Sequence, residues 1–300
     1  MSASPTIFDR ALLRARRARA AALGAETFLI DRVAADMAER LSAVVRPFER
    51  AVDLGTPNDA LRRALVESGR IGSMIAVEPA AHRLDAEFIR VAGDEEALPF
   101  AEASLDLVVS GLAFQFVNDL PGTLVQIRRA LRPDGLLLAA LIGGETLSEL
   151  REAFAVAESE IEGGVSPRIA PFADLSDIGA LMQRAGFALP VVDTDRITVR
   201  YDSVLDLMRE LRRMGATNVL HERRRKPLKR ATLERVADIY GDRFTDEDGR
   251  MRATFEIVWL SGWAPHESQQ QPLKPGSAAH RLADALGTKE ISAGEKPGGG

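Results

Sequence analysis

Four polar side chains stand at the ends of successive predicted strands. They are Asp53, Glu78, Asp94 and Ser110. The carboxyl ends of parallel strands share one edge of a sheet, and α/β sheets bind their ligands there. A carboxylate at the position of Glu78 can accept hydrogen bonds from both hydroxyls of a ribose. A carboxylate at the position of Asp94 can accept a hydrogen bond from an exocyclic adenine amine. Each acid alone is also a good helix N-cap. Together, the four residues predict a nucleoside-binding cleft.

The loop after the first strand departs from the usual pattern of such clefts. Ala51-Val52-Asp53-Leu54-Gly55 reads as a buried strand that ends in a glycine turn, and Thr56-Pro57-Asn58 follows. Further glycines normally let the backbone approach the ligand here. Proline also removes an N–H donor. We therefore expect a cofactor to fit this loop poorly. Either the loop takes another path, or the cofactor binds weakly or not at all.

The segments that must position these residues alternate between short apolar runs and helical patterns. Strands are predicted at 50–54, 73–77, 88–91, 105–110 and 136–142, and helices at 58–68 and 120–131. The runs are apolar on both faces, as strands covered by helices should be. The pattern predicts an α/β fold with a doubly wound, mostly parallel sheet.

Further elements are predicted on both sides of this core. Residues 8–46 predict a helix that Pro47 ends. Beyond the core, helices are predicted at 174–185, 203–214 and 231–240, and strands at 191–201 and 253–260. The predicted division is a helical N-terminal arm (1–46), a cofactor core (47–145), a C-terminal part with cap insertions (146–263) and a flexible tail (264–300). A short helix is predicted at 279–286 within that tail.

Composition excludes several classes of site. The chain has 300 residues, 46% of them hydrophobic, and a net charge of -5, so nothing in its charge favours nucleic acid. It has no cysteine, which excludes disulfides and thiolate chemistry and fits a cytoplasmic protein. No apolar run approaches the roughly 20 residues of a membrane span. The four histidines form no metal-binding motif, and neither a nucleophile elbow nor a phosphate loop occurs. We predict no metal site.

The core resembles the class I S-adenosylmethionine-dependent methyltransferases. The resemblance covers roughly residues 45–145. It rests on Val52-Asp53-Leu54-Gly55, Val77-Glu78, Gly93-Asp94 through Phe100, Leu105 to Ser110 and Leu131-Arg132-Pro133-Asp134-Gly135. It implies S-adenosylmethionine as the cofactor. The implied cofactor-binding residues are Asp53, Gly55, Glu78, Asp94, Glu95 and Ser110.

A second resemblance covers most of the chain. Ile7-Phe8-Asp9-Arg10, Phe116 to Pro121, Gly143 to Leu147, Met214 to Asn218 and His266 to Gln269 are similar to the methyltransferase-like assembly factors of respiratory complex I. The resemblance implies hydroxylation of an arginine on a complex I subunit, in the mitochondrial matrix if the protein is eukaryotic. The biotin-pathway malonyl-carrier-protein methyltransferases are close relatives, since they share the Phe-Asp-Arg start.

Three hypotheses follow. The first is an S-adenosylmethionine-dependent enzyme of the complex I assembly type that acts on a protein. The second, prompted by Thr56-Pro57-Asn58, is a non-catalytic assembly chaperone. The third is a small-molecule or carrier-protein O-methyltransferase. No catalytic residue is assigned.

Three surface and aromatic features have two interpretations each. The basic segment Arg223–Arg230 is either a docking surface for an acidic partner or a solvated loop. The arginines between 10 and 19 belong either to a targeting or basic arm or to a surface helix. Phe114 and Phe116 either cover the pocket or pack in the core, and Trp259 and Trp263 are expected to pack in the core.

Overall fold

A seven-stranded sheet forms the centre of the molecule. The computed structural model describes residues 6–79, 87–170, 175–270 and 287–288. The order of the strands is β3-β2-β1-β4-β5-β7-β6. The strands are β1 (Phe48–Leu54), β2 (Ile71–Glu78), β3 (Ile89–Ala92), β4 (Leu105–Gly111), β5 (Leu131–Ile142), β6 (Ala188–Tyr201) and β7 (Met251–Trp263). β1 to β5 pair in parallel, and β7 runs antiparallel to both of its neighbours. The predicted fold class is confirmed.

Helices cover both faces of the sheet. They are α1 (Arg10–Ala22), α2 (Phe28–Ser42), α3 (Ala60–Glu67), α4 (Leu120–Ala130), α5 (Ser148–Glu162), α6 (Leu175–Arg184), α7 (Val204–Arg213) and α8 (Arg230–Phe244). On one face, α2 buries Val33, Met37 and Leu41. On the other face, α4 buries Leu124 and Ile127. The β1 to β5 strands between these layers are nearly continuous apolar runs for this reason.

Two sequence expectations about helices were wrong. Residues 8–46 form two helices because Gly24 takes a left-handed conformation (φ +77°), which ends α1, and Thr27 begins α2. The helix α5 was not predicted. It ends at Gly163, the glycine at which the sequence pattern is interrupted.

The chain divides into two compact units, Met1–Pro265 and His266–Gly300. The predicted helix at 279–286 lies outside the described residues. Within the described part of the chain, no helix is long and apolar enough to cross a membrane.

Candidate functional site

Asp53 lies in a buried network of charges at the carboxyl edge of the sheet. Its side chain is 0% exposed and accepts hydrogen bonds from Arg62 of α3 and from the Thr56 hydroxyl. Arg62 is itself 1% exposed and also pairs with Asp59, one turn earlier. Burial raises the pKa of Asp53 to about 6, against the opposing effect of the Arg62 charge. The first acid of the predicted cleft therefore faces an internal guanidinium.

Glu78 ends β2 as predicted, and its carboxylate is also paired. Its Oε1 atom accepts from Arg90 of β3 and lies 3.3 Å from the Arg62 Nη2 atom. Arg90 is 6% exposed and binds both oxygens of Asp59, at 2.8 and 2.7 Å. Two buried guanidinium groups thus hold three carboxylates together at the ends of β1 and β2. We call Asp53, Asp59, Arg62, Glu78 and Arg90 the arginine cluster.

The acids after β3 bind an arginine of the N-terminal helix. Arg10 lies 3.1 Å from Asp94 and 3.7 Å from Glu96, and it pairs with the buried carboxylate of Glu95. Its Nη1 atom also donates to the carbonyl of Phe116 at 3.4 Å. The first turn of α1 therefore lies over the acidic loop.

The loop after β1 is closed by side chains from three directions. Gly55 has a left-handed backbone (φ +75°), and a Cβ atom there would collide with the Glu95 carboxylate. Arg17 donates to the Gly55 carbonyl at 3.3 Å. The Thr56 hydroxyl accepts from the backbone N–H of Gly111 at 2.8 Å, which holds the loop against β4.

Ser110 lies inside the sheet. Its hydroxyl is fully buried and donates to the carbonyl of Leu54 at 2.8 Å, joining β1 to β4. The six predicted cofactor residues therefore gather at one edge of the sheet. As ligands of a cofactor, they remain a prediction.

A separate cavity of about 350 Å³ opens beyond the end of β4. Its walls are mainly apolar and come from α5, α7 and the segment before residue 221; they include Phe8, Phe116, Leu150, Phe154, Met208 and Leu220. A smaller cavity of about 70 Å³ shares Gln115 and Phe116 with it and is lined in addition by Arg17, Glu26 and Pro57. A mainly apolar cavity with a few polar groups is the usual form of a small-ligand site.

Three sequence segments meet at this cavity. The backbone N–H groups of Ile7 and Phe8 donate to the Asn118 Oδ1 atom, at 2.8 and 2.7 Å. Asp9 N–H donates to the carbonyl of Val219, and His221 N–H to that of Ile7. The segments around Phe8, Asn118 and Val219 are far apart in the chain. Their meeting explains why the second resemblance extends beyond the core.

Gln115 is a site residue that the sequence did not reveal. Its side chain is 8% exposed, and its Nε2 atom donates to the carbonyl of Leu112 at 2.8 Å. Its Oε1 atom is buried and accepts no hydrogen bond from the described residues. A buried acceptor without a donor is costly, so it marks a place where a ligand can donate. In the sequence, the only indication of its role is its position shortly after the end of β4, close to the edge of the sheet where ligands bind.

The aromatic residues divide between core and cavity. Phe114 is fully buried in the core against α4. Phe116 lines both cavities, and its ring makes an edge-to-face contact with the ring of Phe8. Trp259 is buried, and Trp263 packs against the core from a less buried position, as expected.

Most of the basic segment at 223–230 is neutralised within the molecule. Arg223 pairs with Asp9, while Arg224 and Lys229 both pair with Glu162 at the end of α5. Arg225 and Lys226 are exposed. Lys229 and Arg230 are 56% and 91% exposed as well, so the segment still presents cations to an acidic partner.

The pair of cations around Glu162 predicts a pH effect on stability. Hydrogen bonds from Lys229 and Arg224 lower the pKa of Glu162 from 4.5 to about 2. A lowered pKa stabilises the fold above the unfolded value, and this stabilisation is lost as the pH falls from about 4.5 to about 2. We therefore expect the melting temperature of Glu162→Gln to fall less than that of the wild type as the pH is lowered through this window. The matched control is the exposed Glu222→Gln, and an equal slope in both variants would contradict the assignment.

Comparison with known proteins places this geometry in a class. Residues 52–139 match the family model described as a methyltransferase domain. The structure is similar to that of the YcgJ protein from Bacillus subtilis, with a TM-score of 0.51, 15% identity, and coverage of 77% of this chain and 98% of that one. The sheet and its strand order are thus those of a Rossmann-like class I methyltransferase fold.

Relatives along the whole chain identify the family. The chain is 38% identical over 287 residues to the mitochondrial arginine-hydroxylase NDUFAF5 of Danio rerio, covering 93% of this chain and 89% of that protein. It is 38% identical over 217 residues to the malonyl-[acyl-carrier protein] O-methyltransferase of Laribacter hongkongensis, covering 72% and 67%. The chain belongs to the NDUFAF5 family of methyltransferase-fold proteins.

The residues at the cleft do not fit S-adenosylmethionine in this arrangement. The ribose acid Glu78 is paired with two guanidinium groups, and the glycine turn is covered by Glu95 and Arg17. In the described part of the chain, no group of three His, Asp or Glu residues is placed to hold a metal ion.

Proposed function

We propose that this chain acts on an arginine side chain of a partner protein during respiratory complex I assembly and hydroxylates it. Molecular oxygen is the oxidant: one of its atoms enters a C–H bond of the arginine, and the other leaves as water with two electrons and two protons from a cellular reductant. The observation that carries the proposal is the similarity to arginine-hydroxylase NDUFAF5, which spans 93% of this chain. The similarity to the Laribacter methyltransferase spans 72%. Segments outside the methyltransferase core contribute to the cavity, and the match to the hydroxylase includes them at 38% identity.

The cavity suits the side chain of arginine in two respects. The methylene groups of the stem would lie against apolar walls such as Leu150 and Phe154. The guanidinium would reach the smaller cavity, where the Gln115 Oε1 atom and the Glu26 carboxylate are the acceptors. Glu26 lies 3.5 Å from Arg213, an ion pair that the substrate would share.

Two cations of the larger cavity do not oppose this placement strongly, whereas Arg17 lines the smaller cavity and its charge opposes a second guanidinium there. Arg168 is paired with the buried Glu158 and lies 4.5 Å from the centre of the Phe154 ring. Arg212 is exposed at the rim, where solvent screens its charge. In bacteria, the proposed site of action is the cytoplasm, where complex I subunits are assembled.

The experiment compares cells with and without the gene. Arginine-containing peptides of complex I subunits are analysed by mass spectrometry. We expect one arginine that carries an additional oxygen atom only when the gene is present. An unchanged arginine with a failure of complex I assembly would instead favour the chaperone hypothesis.

A further inference from the structure

We infer that Arg62 and Arg90 take the place of the nucleoside cofactor in this chain. Their ion pairs stabilise the edge of the sheet that S-adenosylmethionine would otherwise occupy. The inference concerns the cleft at β1 to β3 and does not depend on the proposed function. It assigns a structural role to residues whose positions predict a cofactor site.

The ribose position is filled by the arginine cluster. Glu78 is 24% exposed, and its Oε1 atom already binds Arg90 and lies 3.3 Å from Arg62. A ribose that used this Oε1 atom would have to displace guanidinium groups that are 1% and 6% exposed. Those groups would then be buried beside Asp53 and Asp59 with fewer partners, which is unfavourable. The cluster therefore competes directly with a ribose.

The methionine position is closed independently. In this fold the glycine turn after the first strand is where the backbone approaches the cofactor. Here the Glu95 carboxylate packs on Gly55, Arg17 binds the Gly55 carbonyl, and Pro57 has no N–H to offer. The Thr56 hydroxyl is turned inward to Asp53 and to Gly111 N–H. The Gly55 N–H is likewise used within the protein, since it donates to the carbonyl of Val77 at 3.0 Å.

The adenine position is closed by the N-terminal helix. Asp94 Oδ1 accepts from Arg10 at 3.1 Å and from Glu96 N–H at 2.9 Å. Arg10 also holds Glu95, whose backbone carbonyl accepts from Thr123 of α4 at 3.0 Å. Four arginines thus contact the three parts of the cleft: Arg62 and Arg90 the ribose position, and Arg10 and Arg17 of α1 the other two.

The arginine cluster also neutralises the acids at this edge of the sheet. Asp53, Asp59 and Glu78 would repel each other at the strand ends without a cation between them. In this chain Arg62 and Arg90 join α3 to β2 and β3.

Two measurements test the inference. The first is calorimetric titration of the full-length protein with S-adenosylmethionine and with S-adenosylhomocysteine. We expect no binding heat at millimolar ligand and no shift of the melting temperature. Micromolar binding that is lost in Glu78→Ala would overturn the inference.

The second measurement concerns the ligand-free protein. We expect Glu78→Gln to lower its melting temperature, since two buried guanidinium groups lose a charged partner. The matched control is Glu87→Gln, whose side chain is 56% exposed and pairs with Arg63 at the surface. If Glu78→Gln and the control melt at the same temperature as the wild type, the structural role is wrong. Ligand binding and melting temperature do not depend on hydroxylation. A negative result for this inference can therefore be distinguished from a negative result for the proposed function.

Discussion

Replacement of Arg62 by leucine should lower the free energy of unfolding by about 3–5 kcal/mol, the usual effect of removing one partner from a buried ion pair. Asp53 would remain fully buried with its charge opposed by no guanidinium, and Asp59 would lose its i,i+3 partner. Chemical denaturation monitored by circular dichroism measures the loss.

The neighbouring Arg63 provides the control. Arg63 is 56% exposed and forms a surface pair with Glu87, so Arg63→Leu should cost less than about 1 kcal/mol. Equal losses in the two variants would contradict the buried cluster.

A double variant sharpens this test. Asp53→Asn should restore part of the stability that Arg62→Leu loses, because the uncompensated charge is then absent and the two effects are not additive. The single variant should also regain stability as the pH falls, because loss of Arg62 raises the pKa of Asp53 further and protonation of Asp53 then removes the uncompensated charge.

The second large effect is expected on substrate modification. Gln115→Leu keeps the size of the side chain near that of glutamine and removes the buried acceptor from the cavity wall. A hydrogen bond to a charged group contributes about 1.5–3 kcal/mol, so hydroxylation of the partner arginine should fall roughly ten- to a hundredfold. Peptide mass spectrometry of complemented cells gives the ratio of modified to unmodified arginine.

Two observations separate a functional loss from a folding defect in this variant. The melting temperature of Gln115→Leu should stay close to that of the wild type, because the lost bond to Leu112 is a single neutral one. The exposed Gln183→Leu should leave both stability and hydroxylation unchanged. Full hydroxylation by a stable Gln115→Leu protein would place the substrate elsewhere.

The sequence was sufficient to predict the sheet and the edge that carries the site. Apolar runs covered on both faces, such as Leu105 to Ser110, are local signals, and strand ends follow from them. The acids at Asp53, Glu78 and Asp94 could therefore be placed at one edge. The complex I resemblance likewise rested on whole segments, and the relatives confirm it.

The partners of those acids could not be predicted. Arg62 looks like any charged residue on an amphipathic helix, and it stands beside Arg63, which is in fact at the surface. Arg10 and Arg90 come from distant parts of the chain, and only the packing of α1 and β3 brings them to the cleft. Gln115 gave no signal either, since its importance lies in an acceptor that finds no donor.

The most direct test of the central claim is a reconstitution. The unmodified complex I subunit is isolated from cells that lack the gene, incubated with the purified chain in a lysate supplied with oxygen-18 gas, and analysed by peptide mass spectrometry. We expect one arginine to gain a single labelled oxygen atom, and added S-adenosylmethionine to change nothing. A methyl group on any residue, or a modification that requires S-adenosylmethionine, would contradict it.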